Sequence, residues 1–311
     1  MKRRDFLSAS AALTAAGSLN RAIAASGSGA DALNCPWSVR NTESFAFHSK
    51  HVGDTLAVGV WQPPKLFADM LEFGDTPMDV VYLVDGSFAL GAAAGISSLG
   101  YADQLKPGFP PLLLVGIDYL EDKPNARTRD YTHTDLAVPL TPGDTRPEDT
   151  IGGADKFLRF IEEELDPMIR SRYNVSDRPA GILGDSYGGT FTFHAFRRQS
   201  KLFNKYFLGS PGLFDTSVDY IGDIATLLEG KLARDTRMYL TFGALEMNGG
   251  VAIYEEMGRN FNRLVSTITT AKNPQLEYVS RVYPDHTHTT IVVPAYNDAM
   301  LYLYGPHLPM A

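Results

Sequence analysis

One serine stands in a setting that is typical of an enzymatic nucleophile. The residues from Ala180 to Leu183 form an apolar run, which breaks into Gly184-Asp185-Ser186-Tyr187-Gly188-Gly189 just ahead of a helical pattern. A Gly-x-Ser-x-Gly segment between a strand and a helix makes a sharp turn that exposes the serine hydroxyl at the edge of a sheet. The motif also arises by chance in a chain with 28 glycines, so the groups that could activate Ser186 decide what it means.

A histidine that could activate this serine must follow it in the chain. A serine hydroxyl is a weak nucleophile until a neighbouring base accepts its proton, and a carboxylate then orients that base. In chains with this type of turn, the acid and then the histidine follow the serine in sequence. Of the seven histidines, His286 and His288 are the pair that follows a predicted strand downstream of Ser186. We expect one of them to reach the serine and favour His288, with His286 as the alternative.

The acid is expected at Glu246. This residue lies just after a predicted strand that ends at Gly243, where a carboxylate can meet a histidine that arrives from the following strand. Asp215 and Asp285 remain alternatives. A His-x-His pair can also be half of a metal site, but no second cluster of His, Cys or carboxylates accompanies this pair, so we expect neither a metal nor another cofactor.

The oxyanion of an acyl-transfer intermediate needs two fixed hydrogen-bond donors. Backbone amides at a glycine turn and at a helix start supply them without reorganisation. The N–H of Tyr187, directly after the candidate nucleophile, is expected to be one donor. The N–H of Ser87, which follows Asp85-Gly86 at the end of a predicted strand, is expected to be the other.

Strands and helices alternate along the rest of the chain. Two short runs joined by a Gly-Asp turn predict an antiparallel pair, and apolar runs with helical stretches between them predict buried parallel strands. This pattern predicts an α/β fold, in which a mostly parallel central sheet carries helices on both faces. A helical period over residues 157–169 is interrupted by Pro167, which should kink or divide that helix. The predicted strands are Ser44–His48, Leu56–Trp61, Asp79–Val84, Leu112–Ile117, Ala180–Leu183, Tyr206–Gly209, Met238–Gly243 and Leu276–Tyr283.

A long polar stretch follows the fourth predicted strand. Residues 122–149 are rich in Asp, Pro, Thr and Arg and show no period, and such loops are usually binding elements or lids. Arg127 and Arg129 lie within this stretch. They are candidates for contact with an anionic ligand, or they are exposed loop residues.

The first 25 residues have the composition of an export signal. Paired arginines at Arg3 and Arg4 precede Phe-Leu and a weakly apolar run, which is typical of a twin-arginine signal peptide. We predict a signal over residues 1–25, a linker over 26–41 and a catalytic domain over 42–311, located in the periplasm or secreted. Cleavage would remove four basic residues and one acidic residue, so the net charge would change from −8 to −11. Such an acidic product is a poor partner for nucleic acid, and no membrane anchor is expected to remain after cleavage.

Many ordered segments together resemble one known family. The chain is similar to the esterase family of α/β-hydrolases that includes the ferric enterobactin and salmochelin esterases, with esterase D and the mycolyltransferases as more distant relatives. The similarity runs from about Phe45 to Tyr304. The segments that carry it include 81–86, 115–117, 129–132, 152–157, 184–189, 210–211 and 288–295.

The resemblance implies an α/β-hydrolase fold with Ser186 as nucleophile, a histidine at the position of His288 and a carboxylate at Glu246. It also implies oxyanion donors at Ser87 and Tyr187. The family usually has Ser-Pro-Ser-Leu-Trp-Trp where this chain reads Ser-Pro-Gly-Leu-Phe over 210–214, so the aromatic wall is reduced and substrate preference can differ.

These observations predict a serine esterase that hydrolyses a small-molecule carboxylic ester through an acyl-enzyme. The relatives suggest a siderophore-type trilactone as the ester. Two alternatives stay open. One is an acyltransferase that uses a sugar or lipid alcohol in place of water, and the other is a binding module without catalytic activity on a hydrolase scaffold.

Overall fold

The computed structural model of the protein describes residues 38–71, 73–103, 109–120, 126–133, 151–215 and 219–305. The predicted signal, most of the predicted linker, and residues 122–125 and 134–149 of the predicted lid lie outside the described residues. Within those ranges, none of the helices combines the length and the hydropathy that a membrane span requires.

The described strands form one eight-stranded sheet in the order β1-β2-β4-β3-β5-β6-β7-β8. Strand β2 pairs antiparallel with β1 and with β4, and the other neighbouring pairs are parallel. The predicted antiparallel pair and mostly parallel sheet are therefore confirmed. The strands are β1 (Thr42–Ser49), β2 (Asp54–Trp61), β3 (Asp79–Val84), β4 (Leu112–Tyr119), β5 (Ala180–Asp185), β6 (Phe203–Gly209), β7 (Thr236–Gly243) and β8 (Leu276–Tyr283).

Helices connect the parallel strands and cover both faces of the sheet. They are α1 (Lys65–Met70), α2 (Gly86–Ala102), α3 (Ala126–Tyr131), α4 (Ala154–Arg159), α5 (Asp166–Arg172), α6 (Tyr187–Arg197), α7 (Tyr220–Glu229), α8 (Ala244–Asn248), α9 (Ala252–Ala271) and α10 (Val292–Tyr304). A π-helical segment, Phe160–Leu165, joins α4 to α5.

Strand β3 shows how the sheet separates two apolar layers. All six of its residues are buried, as expected for a strand with helices on both sides. Val80, Tyr82 and Val84 pack into the layer that contains α4 to α7 and α9. Val81 and Leu83 point the opposite way, into the layer formed with α2 and α10. The carboxyl ends of β3, β5, β7 and β8 consequently meet at one edge, where the loops that follow them lie together.

The predicted break near Pro167 is confirmed, but it begins before the proline. The backbone widens into the π-helical segment at Phe160, and α5 starts again at Asp166 with Pro167 in its first turn. The Asp166 N–H, at the start of α5, still donates to the carbonyl oxygen of Ile161, so the helix is divided into segments without being interrupted.

The close contact between β5 and α10 gives a test of this packing. A Cβ atom added at Gly181 would lie 1.8 Å from the hydroxyl oxygen of Tyr304, at the end of α10. Gly181→Ala should therefore destabilise the protein by about 1–3 kcal/mol, as overpacking of a core usually does. Tyr304→Phe removes the colliding oxygen, so we expect it to recover at least half of that loss in the double variant.

Urea unfolding of the wild type, both single variants and the double variant measures this coupling. If the two substitutions change the free energy of unfolding additively, the described contact between Gly181 and Tyr304 is wrong.

Candidate active site

Ser186 occupies the sharp turn between β5 and α6. Its backbone angles are φ 58° and ψ −123°, a conformation that residues with a side chain rarely adopt. The turn is held because the Ser186 N–H donates to the carbonyl oxygen of Gly209 at 2.9 Å. The strained geometry expected of a nucleophile at a strand-to-helix corner is therefore present.

Two glycines allow this turn to close. A Cβ atom at Gly184 would lie 2.4 Å from the carbonyl carbon of Gly188, and one at Gly188 would lie 2.8 Å from a methyl carbon of Val84. Real Cβ contacts are not this short, so a larger residue at Gly184 would displace the backbone of Gly188, and one at Gly188 would displace the Val84 side chain. The small residues of the motif are thus needed for β5, α6 and β3 to lie this close together.

The His288 side chain lies between a hydroxyl and a carboxylate. Its Nε2 atom is 2.9 Å from Oγ of Ser186, and its Nδ1 atom is 2.6 Å from Oε2 of Glu246. This arrangement is compatible with a proton on Nδ1, which leaves Nε2 free to accept the serine proton. The three predicted residues, which are far apart in sequence, form one hydrogen-bonded chain.

Glu246 is itself held in place by two further donors. It is buried, and its Oε1 atom accepts hydrogen bonds from the Ser210 hydroxyl at 2.7 Å and from the Gly243 N–H at 3.0 Å. Ser210 has no role among the predictions made from the sequence. Its position directly after β6, at the same sheet edge as Ser186, is the signal that could have identified it.

The loop after β8 delivers His288 because it is anchored to the neighbouring strand. Strands β7 and β8 are parallel and paired along their whole length. Beyond them, the Leu245 N–H donates to the carbonyl oxygen of His286 at 3.1 Å, which ties the histidine loop to the start of α8. Glu246 and His288 therefore approach each other from adjacent strands.

The alternative residues predicted from the sequence make no hydrogen bond within the set formed by Ser186, His288 and Glu246. His286 directs Nδ1 to the carbonyl oxygen of Thr290 at 3.0 Å and makes an edge contact with the ring of Tyr283. Asp215 accepts a hydrogen bond from the Asn260 side chain at 3.0 Å. Asp285 is exposed in the turn after β8, with a φ of 59°.

The charges around His288 favour its protonated form. Burial alone would lower the pKa of His288, but the hydrogen bond to Glu246 and the negative charges of Asp185 and Glu246 outweigh it and raise the pKa above its ordinary value. Burial also raises the pKa of Asp185, which precedes the serine, to about 7. An acidic group that titrates near neutral pH thus lies beside the histidine.

The two expected oxyanion donors differ in their surroundings. Tyr187 is the first residue of α6 and directly follows the candidate nucleophile. The amide of Ser87 instead donates to Oδ2 of Asp118 at 2.5 Å. The expected donor at Ser87 is therefore engaged in this structure: Asp118, near the end of β4, caps the first turn of α2. An aspartate directly after a buried strand is the sequence signal for this contact.

The two arginines of the predicted lid form ion pairs with different residues. Arg127 pairs with Asp85, with Nη2 2.8 Å from Oδ2, and its guanidinium lies 5.5 Å from the ring centre of Tyr187. Arg129 binds Asp130 and Asp54 instead, and its side chain joins α3 to the start of β2. A ligand contact for Arg129 is therefore not supported, whereas Arg127 lies beside the residue that follows the serine.

The described residues contain no group of three or more His, Cys, Asp or Glu side chains arranged to hold a metal ion.

Comparison with known proteins places the chain in a family. The sequence model of a family described as "Putative esterase" matches residues 49–286, which is well over half of the 311 residues. The chain belongs to this esterase family. The predicted resemblance and the α/β-hydrolase type of fold are both confirmed.

Two relatives of the chain are named as esterases. The ferri-bacillibactin esterase of Bacillus subtilis is 33% identical over 138 residues, which are 43% of this chain and 47% of that protein. This alignment thus spans about half the length of the Bacillus relative. The siderophore enterobactin esterase of Emericella nidulans is 23% identical over 86% of this chain and 95% of its own length.

A solved structure shares the fold. The crystal structure of the BES protein from Bacillus cereus superposes with a TM-score of 0.72 at 22% identity, covering 86% of this chain and 97% of that one.

The hydrogen bond between Glu246 and His288 gives a pH-dependent prediction. A histidine that accepts a proton must be neutral, so esterase activity should fall as the pH decreases through the pKa of His288. Glu246→Gln removes the carboxylate that raises this pKa. We expect the acid limb of the kcat/KM profile to move to lower pH, and kcat to fall by about 10²- to 10⁴-fold.

Asp215→Asn is the matched control, because it neutralises the alternative acid without touching His288. If the control moves the acid limb and Glu246→Gln does not, Glu246 is not the partner of the histidine.

Proposed function

We propose that this protein is a serine esterase that hydrolyses a carboxylic ester through an acyl-enzyme. The observation that supports the proposal most directly is the chain from Ser186 Oγ to His288 Nε2 and from His288 Nδ1 to Glu246, with distances of 2.9 and 2.6 Å. Its order in the sequence and its place at one sheet edge agree with membership of the esterase family.

In the first half of the proposed reaction, Ser186 attacks the ester carbonyl while His288 accepts its proton. The imidazolium that forms is stabilised by Glu246, and it then gives its proton to the alcohol that leaves. In the second half, His288 removes a proton from water, which attacks the acyl-enzyme, and His288 returns that proton to Ser186 Oγ as the acid leaves.

We propose the amide of Tyr187 as one oxyanion donor. It follows the nucleophile and lies at the positive end of α6. The Ser87 amide can join it only after Asp118 releases the hydrogen bond that it accepts at 2.5 Å.

We propose a siderophore ester as the substrate class. The named esterases that resemble the chain support this, since they act on ferri-bacillibactin and enterobactin according to their names. Arg127 adds no separate argument for an anionic ligand, because its charge is already paired with Asp85.

Replacement of the nucleophile tests the proposed activity. Ser186→Ala keeps the Cβ atom and the backbone strain of the turn, so the protein should fold as the wild type does. Hydrolysis of a small activated ester should fall by at least about 10⁴-fold. A fluorophosphonate probe should label the wild type at Ser186 and leave the variant unlabelled.

The panel of substrates should include a siderophore trilactone together with esters of different acyl length. Retained turnover in Ser186→Ala would refute the assignment of the nucleophile. Folded wild type that neither hydrolyses these esters nor reacts with the probe would favour a binding module instead.

We also propose export by the twin-arginine route, on the basis of the residues around Arg3 and Arg4. Replacement of both by lysine keeps the charge but removes the paired guanidinium groups. The variant should accumulate uncleaved in the cytoplasm of the producing bacterium, as measured by cell fractionation and mass spectrometry. Export of the lysine variant at the wild-type level would exclude this route.

A further inference from the structure

An aromatic ring covers one face of the His288 imidazole. The Tyr254 ring lies 4.8 Å from it between ring centres, with 24° between the two planes. Tyr254 is half-buried in the first turn of α9, and its N–H donates to the carbonyl oxygen of Val251 at 2.9 Å. The sequence analysis gave Tyr254 no role, and its contact with His288 is made by the ring.

The hydrogen bonds of His288 leave a freedom that this ring removes. The bonds to Ser186 and Glu246 fix two atoms at opposite edges of the imidazole. They do not prevent the ring from tilting about the line that joins those atoms. A parallel aromatic surface against one face opposes that tilt, because it would lose contact area and collide at one edge.

The same ring also acts on the charge of the histidine. The face of a tyrosine ring carries negative electrostatic potential and attracts a cation placed over it. His288 becomes a cation each time it holds a proton between two steps of the proposed reaction. The charged groups that act on it are Glu246 and Asp185, which favour the cation, and Arg127, which opposes it.

We propose that Tyr254 is a positioning residue for His288. Its ring holds the imidazole in the plane that joins Ser186 to Glu246 and stabilises the imidazolium form. This inference rests on the proposed esterase function, since it assigns His288 the transfer of protons.

A simple wall against solvent is the competing explanation for Tyr254. Any apolar side chain of similar size would provide such a wall. The aromatic face alone would provide the attraction to a cation, so aromatic and aliphatic substitutions separate the two explanations.

The experiment compares Tyr254→Phe, Tyr254→Leu and Tyr254→Met with the wild type. Phenylalanine keeps the ring face, so its kcat should stay within about threefold of the wild-type value. Leucine and methionine should lower kcat by about tenfold or more with little change in KM for a small ester, and they should move the acid limb of kcat/KM to lower pH. Two aliphatic variants are used so that, if one of them fails to fold, the other still provides the test.

Tyr278→Leu is the matched control. Tyr278 packs against the far end of α9, where its hydroxyl lies 2.6 Å from that of Thr269. The substitution therefore loosens the same helix without touching His288. It should leave kcat and the pH profile as they are in the wild type.

A second readout does not depend on turnover. The protonation of His288 can be followed by NMR of labelled imidazole, with His288→Gln used to assign the resonance. Tyr254→Leu should lower the pKa of His288, and Tyr254→Phe should leave it unchanged.

The outcomes separate this inference from the proposed function. An active wild type with an inactive Ser186→Ala variant, together with wild-type kcat and histidine titration in Tyr254→Leu and Tyr254→Met, would overturn the role of Tyr254 alone. Absence of ester hydrolysis in the wild type would overturn the esterase proposal, and with it the catalytic part of this inference. The NMR titration would still decide whether the ring stabilises the imidazolium.

Discussion

The site depends on one imidazole that must meet two oxygen atoms from different strands. Ser186 follows β5 and Glu246 follows β7, while His288 arrives from the loop after β8, and the two contacts are 2.9 and 2.6 Å long. A parallel sheet makes this possible because its strands all end at the same edge. Packing of α10 against one face and α9 against the other fixes the loop from which the histidine projects. The apolar layers are therefore part of the proton-transfer geometry, although they contain none of its atoms.

Much of this arrangement could be predicted from the sequence, because it is encoded locally. The apolar runs of β3, β5 and β7 mark buried strands, and glycines at fixed offsets mark the turn around Ser186. The order of serine, acid and histidine then follows from the topology. The division of the helix near Pro167 also has a local signal, because proline has no N–H to donate. The π-helical segment that precedes Pro167 has no separate signal in the sequence.

The contacts that were not predicted join segments that are far apart in the sequence, and no pattern of residue types along the chain indicates that they meet. Ser210 donates to Glu246 because β6 lies between β5 and β7, and Tyr254 covers His288 because α9 starts beside the histidine loop. Asp118 accepts a hydrogen bond from the Ser87 amide across neighbouring strands, and Arg129 pairs with Asp130 and Asp54. A polar residue at a strand end can contact several partners, so the choice among them is made by neighbouring elements.

The balance of charge explains why such a buried site can hold an imidazolium. Removing ionised groups from water is costly unless partners compensate. Asp185, the buried residue before the nucleophile, has a pKa raised to about 7 by burial, so below neutral pH it is mostly neutral and adds little negative charge. As the pH rises it ionises, and its charge then favours the protonated form of His288. Ionisation of Asp185 thus opposes deprotonation of His288. The pH dependence of the site therefore belongs to both groups, with Glu246 setting the orientation of the histidine throughout.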